Sequence, residues 1–282
     1  MRKQLAILFP IIFSRRLKYF GIKQWGSPLI VTTMKWTCIL ILSAVSMANT
    51  MAVTFQSSER QTALLEFYTS EGCSSCPPAE AWLSDLKRRP ELWTDFVPVA
   101  FHVDYWNNLG WRDRLSSEEF TQRQYQYAKA WSAQEVYTPE FVLNGKEWHN
   151  WFGYRSAPSA SAAKTGTLTV SSTDEKHWKV NFNPAEKESS DYEVTAALLV
   201  CGFSSDVTAG ENSGRHLNHD FATLSLISRP LASATNGFQG SFIADPHPKG
   251  ITGHLALAVW VTHSGQLQPL QATGGWLPQI GN

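Results

Sequence analysis

The sequence has little charge, few sulfur atoms and only short apolar runs, and each shortage excludes something. Lys plus Arg and Asp plus Glu number 24 each, for a formal net charge of +0, and the basic residues are scattered. No stripe of positive charge is available to neutralise a phosphate backbone, so nucleic acid is excluded as a partner. The apolar stretch Trp36 to Val45 is too short to span a bilayer stably, so the mature chain carries no membrane span. The four cysteines do not form the two pairs of a cysteine-only zinc site, and no metal ligand set or cofactor is assigned from the sequence. With 43% apolar residues in 282, the chain suits neither disorder nor a coiled coil and is long enough for two domains. Its 12 tryptophans are read as core residues ahead of a ligand surface.

Residues 1–52 read as a targeting region. Met34-Lys35 opens the apolar stretch and small residues follow through Ala48 and Ala52, the pattern of a secretory signal peptide with Met34 as a candidate start. Arg15-Arg16 has no apolar region directly after it, which makes it a poor twin-arginine export signal. Cys38 would leave with the peptide. The expected location is periplasmic or secreted, where a disulfide is permitted.

The informative run is Leu64 to Pro78, in which an apolar strand and a short loop lead to Cys73-Ser74-Ser75-Cys76-Pro77-Pro78. Two cysteines so spaced close across the first turn of a helix. The helix N-terminus would stabilise a thiolate on Cys73 through unpaired N–H groups and the macrodipole, with Cys76 within bonding reach. Cys73 is then the more exposed, attacking sulfur and Cys76 the resolving one that faces the core. Glu71 opposes this stabilisation, so the direction of electron flow is left open. Cys201 ends the apolar run Ala196 to Val200 and reads as a buried free thiol.

From residue 62 to about 165 strands and helices alternate. Thr62 to Tyr68 has the continuous apolar character of a central strand. Ala79, Trp82, Leu83 and Leu86 recur at helical spacing behind two prolines that suit a first turn. Phe96 to Val103 is the next strand, Ser116 with Glu119 reads as a capping box opening a second helix, and Asn144-Gly145 marks a hairpin turn. Strand, Cys-x-x-Cys, helix, strand, helix, and then Thr-Pro before a further strand resembles the thioredoxin-like superfamily. That resemblance implies a cis bond before Pro139 facing the dithiol, with the Thr138 backbone presented to a bound peptide. It places Glu66 as the buried acid behind the resolving cysteine. More closely, Phe67 to Glu80 and Phe101-His102-Val103-Asp104-Tyr105-Trp106 resemble an exported bacterial family called domain of unknown function 1223.

Beyond a linker at Arg155 to Gly166, short alternating runs separated by Gly, Pro, Asn and Ser read as about seven strands. The expected fold is an α/β thioredoxin-like domain over 53–160, followed by an all-β sandwich-like domain over 165–282. The polar stretch Gly210 to His219 either reaches over the dithiol or joins two strands, with the connecting role favoured. His216 and His219 form a weak metal pair. His102 and Asp104 leave a strand near the dithiol and could, with Cys73 and Cys76, hold copper or zinc, although a lone strand histidine is more often structural.

Two principal functions remain open on these residues. One is an exported thiol–disulfide oxidoreductase acting on protein or small-molecule thiols and disulfides, with Cys73, Cys76, Pro139 and Glu66 catalytic and Thr138 contacting substrate. The other is a non-catalytic secreted binding protein in which Cys73–Cys76 is a permanent staple. A periplasmic copper or metal carrier comes third.

Overall fold

A computed structural model of the chain describes Gly21 and residues 52–152, 157–186 and 191–278. The expected targeting segment, with Met34, Cys38 and Arg15-Arg16, lies outside the described residues, as does Arg155 in the linker. Thr50–Asn282 forms one compact unit. Among the described residues there are fifteen strands and two α-helices.

The run Ala63–Thr69 forms β2, with all seven residues buried, after a short edge strand β1 (Val53–Gln56). Helix α1 (Pro77–Asp85) follows, and β3 (Phe96–His102) returns parallel to β2 in register from Ala63↔Phe96 to Thr69↔His102. Helix α2 (Glu118–Trp131) starts at the N-cap Ser117, whose hydroxyl accepts from the Glu119 N–H. The cap is therefore one residue later than the expected Ser116, because the Ser116 hydroxyl already bonds Asp113 and Asn107. Then β4 (Glu140–Leu143) runs antiparallel to β2 and turns into β5 (Lys146–Glu147). Asn144 and Gly145 make that turn at φ of 50° and 78°, left-handed conformations that favour Asn and Gly.

The second half contributes β6 (Gly166–Ser172), β7 (His177–Pro184), β8 (Tyr192–Cys201), β9 (Phe203–Asp206), β10 (His216–His219), β11 (Ala222–Pro230), β12 (Ala232–Ala234), β13 (Gly237–Ile243), β14 (His254–His263) and β15 (Pro269–Trp276). Their pairing overturns the expected fold class. The molecule is not an α/β thioredoxin-like domain followed by a sandwich-like domain but a predominantly β-sheet structure. The strands order as β15-β14-β8-β11-β3-β2-β4-β5 in one eight-stranded sheet, β1-β6-β7-β13-β12 in a five-stranded sheet, and β10-β9 as a ribbon. The physical reason lies at the outer side of β3. All seven of its residues are buried, and that side is occupied by β11, parallel at Ala222↔Ala100, with the Ala100 N–H donating to the Phe221 carbonyl at 2.8 Å. A helix-alternating half with its own closed sheet would leave that edge to solvent.

Two large cores and a small third cluster of Leu115, Val200, Phe203 and Ala222 result, and the shared strands divide their side chains mainly between the large ones. Ala197 and Leu199 of β8, with Ala256, Ala258 and Trp260 of β14, join the core around β2 and β3. Their neighbours Ala196, Leu198, Leu257, Val259 and Val261 face the other way, into the core beneath β6, β7 and β13. Strand alternation makes this sorting automatic, and a one-residue slip would exchange the two faces. The same parity governs the site: Phe67 and Thr69 of β2 point toward α1, whereas Glu66 and Tyr68 point toward α2.

Candidate functional site

The dithiol sits where β2 ends. After Thr69 the chain turns, with the Cys73 N–H donating to the Ser70 carbonyl at 3.1 Å, and Cys76 becomes the N-cap of α1. Cys73 and Cys76 are joined as a disulfide with Cα atoms 5.5 Å apart. Both residues are 0% exposed. The expected greater exposure of Cys73 is therefore not found; only Ser74 and Ser75 between them reach solvent.

Three elements pack around the dithiol loop. Trp106 lies so close that a Cβ on Gly72 would fall 2.9 Å from its own Cβ, and its indole N–H donates to the Thr138 hydroxyl at 2.9 Å. The bond between Thr138 and Pro139 is cis, and the Thr138 carbonyl oxygen lies 3.7 Å from Cys73 Sγ. The loop before β10 is the third. Fully buried Asn212 donates through Nδ2 to the carbonyls of Glu71 and Cys73 at 2.8 and 2.9 Å, and Glu211 accepts from the Ser74 N–H at 3.2 Å. The 210–219 stretch thus reaches the dithiol as well as joining strands.

The helix start gives the sulfurs less help than expected. Pro77 and Pro78 carry no N–H, and the N–H groups of Ala79 and Glu80 both go to the Cys76 carbonyl, at 2.9 and 3.0 Å. What remains is the axial dipole, worth about 0.3–1 kcal/mol near a helix terminus.

Behind the disulfide lies a cluster that the sequence did not reveal. Glu80 on α1, His102 at the end of β3 and His219 at the end of β10 are all buried, and one ligating atom from each lies within 4.8 Å of the others. His102 Nδ1 bonds Asp113 at 2.7 Å, His219 Nε2 bonds Glu71 at 3.1 Å, and Glu80 accepts the Thr69 hydroxyl at 2.7 Å. Asp113 in turn accepts the Glu71 N–H at 2.9 Å, and Glu71 the Trp111 indole N–H at 2.6 Å. Burial disfavours charge on Glu80, Asp113 and His219, yet the pairing prevails. The Glu80 and Glu71 carboxylates push His219 up to about 10. Opposing its own burial, Glu80 is held below the ordinary carboxylate range by His219 and His102, and Asp113 likewise by His102. These are the described residues placed to hold a metal.

Other candidates lie apart. Glu66 is on the α2 face of β2, gripped by Arg123 Nε at 2.6 Å and Nη2 at 3.1 Å and by the Tyr127 hydroxyl at 2.5 Å. The structure does not bring it to the dithiol; the acid on that side of the sheet is Glu80. Asp104 accepts the Thr121 hydroxyl of α2 at 2.6 Å. His216 and His219 alternate on a strand, so His216 faces out to Asp206 while His219 faces in. Cys201 is free and buried, its thiol pushed up to about 12 by burial. Sequence parity along β2 identifies Glu66 as facing away from Phe67 and Thr69, but only the packing of α1 tells which face the cysteines share. A groove of about 1140 Å³ beside α2 is lined by Arg123, Leu226 and Trp260 and includes neither cysteine of the dithiol.

Comparison with known proteins reaches the family and no further. The model for a family described as a protein of unknown function, DUF1223, matches residues 64–262. The chain belongs to the DUF1223 family. No curated protein matches this DUF1223 protein. A crystal structure of an Agrobacterium tumefaciens protein is 21% identical, covers 80% of this chain and 99% of that one, and superposes with a TM-score of 0.55. It shows a shared fold. HBP35 of Porphyromonas gingivalis, at 14% identity over 80% of this chain and 79% of that one, gives a TM-score of 0.49, too low to establish one. No helix among the described residues is long and apolar enough to cross a membrane.

Proposed function

We propose that this DUF1223 protein is an exported thiol–disulfide oxidoreductase that exchanges electrons through Cys73 and Cys76 with protein or small-molecule thiols and disulfides. The observation that supports this best is the position of the Cys73 sulfur, 3.7 Å from the backbone carbonyl of Thr138 at the cis Thr138-Pro139 bond. A segment of backbone beside the sulfur supports docking of a peptide partner there. In the reductive direction the Cys73 thiolate attacks a substrate disulfide, forming a mixed disulfide and releasing one substrate thiolate. The Cys76 thiolate then attacks Cys73 Sγ, closing the Cys73–Cys76 disulfide and releasing the second substrate thiolate, so the substrate gains two electrons and the protein loses two. Proton uptake from solvent completes both substrate thiols. The reverse sequence donates a disulfide. Because both cysteines are buried, either direction requires local opening around the dithiol.

The complete burial of both sulfurs favours a second reading, in which the disulfide is a staple within a binding protein. Trapping separates the two. Under exchange, Cys76→Ala expressed in the native host accumulates mixed disulfides on Cys73, because the thiol that resolves them is gone. The purified wild type equilibrates with a glutathione redox buffer. Absence of trapped partners together with no exchange against glutathione overturns the oxidoreductase reading in favour of the staple.

A further inference from the structure

We propose that Glu80, His102 and His219 form a buried binding site for a divalent transition-metal ion, with Zn²⁺ as its type. The donor set comes from three separate elements, α1, β3 and β10, brought to within 4.8 Å of one another. Two imidazole nitrogens and a carboxylate oxygen are a recurrent zinc set, held at about 2.0–2.2 Å from the ion. Gathering these atoms around one ion needs side-chain shifts of about an ångström or less at those bond lengths.

The second shell carries the argument further. A metal-binding histidine characteristically gives its other ring nitrogen to a carboxylate or carbonyl, which fixes its tautomer and aims the ligating nitrogen. Both histidines are arranged in this way. His102 Nδ1 is taken by Asp113 at 2.7 Å, leaving Nε2, and His219 Nε2 is taken by Glu71 at 3.1 Å, leaving Nδ1. The Glu80 carboxylate is oriented by the Thr69 hydroxyl on Oε1 at 2.7 Å, leaving Oε2. Asp113 and Glu71 are themselves fixed, the first by the Leu115 N–H at 2.9 Å and the second by Trp111 at 2.6 Å.

His219 Nδ1 and Glu80 Oε2 form an ion pair at 3.0 Å outside hydrogen-bond geometry, and the histidine is only 2% exposed. Two of the three atoms that would face one ion therefore already lie side by side in the buried cluster. The space bounded by Thr69, Glu80, His102 and His219 holds no void the size of a water molecule, so an ion would be enclosed directly by the three ligand side chains. This site is separate from the cysteines, and it stands or falls independently of exchange at the dithiol.

The test uses the intact chain with its disulfide oxidised, freed of metal by chelation and then titrated with Zn²⁺ and with Co²⁺ as a spectroscopic substitute. Expected are one bound ion per chain and visible cobalt d–d bands without the near-ultraviolet sulfur-to-cobalt charge transfer that thiolate ligands produce. Asp113→Asn, which keeps the shape but weakens the partner of His102, should lower zinc affinity about 10–100-fold. His216→Ala, a surface histidine paired with Asp206, should leave affinity unchanged. Failure of the wild type to bind zinc, a cobalt spectrum showing thiolate ligation, or equal zinc affinity in folded Asp113→Asn and His219→Gln variants would overturn the proposal. Should the variants fail to fold, the wild-type stoichiometry and cobalt spectrum decide alone.

Discussion

Loss of the Asn212 hydrogen bonds is expected to ease a reagent's access to the disulfide, and Asn212→Ala tests this. The side chain is fully buried and its Nδ2 donates to two main-chain carbonyls flanking the first cysteine, Glu71 at 2.8 Å and Cys73 at 2.9 Å. Its Oδ1 accepts from Arg215 at 2.7 Å, which holds the amide in the orientation that serves both carbonyls. Each of the two hydrogen bonds contributes about 0.5–1.5 kcal/mol net, so removing both weakens the closed loop by about 1–3 kcal/mol. Local opening then becomes about 5–150 times more populated, since 1.4 kcal/mol is a factor of about ten in an equilibrium. When opening is fast relative to attack, the observed rate of disulfide reduction scales with that population. Stopped-flow reduction by excess dithiothreitol, followed by tryptophan fluorescence or thiol quench, should therefore accelerate at least about five-fold in the variant. A reduction rate within two-fold of wild type, in a variant whose far-ultraviolet circular dichroism is unchanged, would refute the reasoning and place the barrier to access elsewhere, at Trp106 in the first instance.

Two further expectations concern buried charge. Arg123→Met leaves the Glu66 carboxylate, 1% exposed, without its two guanidinium donors, and should destabilise the protein by about 3–5 kcal/mol; a denaturant-derived loss below about 1 kcal/mol would contradict the assigned pairing. The Glu140 carboxyl is pushed up to about 7, chiefly by burial and further by Glu147 and Glu66, with the Gln124 hydrogen bond opposing. An unfolded glutamate releases its proton near about 4.3. Between those values the folded chain binds the extra proton, so its contribution to stability declines as pH rises across that window. Glu140→Gln should flatten the decline in melting temperature from about pH 4.3 to 7, and an unaltered slope would remove Glu140 as its source.

Local chemistry was readable wherever neighbours in sequence determine it. The unbroken apolar run at Ala63–Thr69, the Pro77-Pro78 helix start and the Asn144-Gly145 turn all carry their own signals. Pairing across the sheet does not. Nothing in the pattern of Phe96–His102 announces that Ala222 will lie beside Ala100, because a strand buried by a helix-bearing layer and one buried by another strand look alike in composition. That ambiguity produced the wrong fold class. The site shows the same division. The cysteine spacing identified one end of α1, whereas Glu80, one turn further on, reads as an ordinary helical acid until His219 arrives from a distant ribbon. The resemblance places Glu66 behind the resolving cysteine, whereas its parity on β2 turns it to the opposite face.

The parallel contact between β3 and β11 also bears on how the molecule can be handled. Phe96–His102 pairs with β2 along one side, and on the other it meets β11 at Ala222↔Ala100, where the Ala100 N–H donates to the Phe221 carbonyl. A fragment ending near residue 160 would leave that second side open along a strand whose neighbouring side chains are almost entirely apolar. An exposed, flat, hydrophobic strand edge is a template for another copy of itself. Expressing the cysteine-bearing half alone would therefore yield self-associating material, and its thiol reactivity would describe the aggregate in place of the native site.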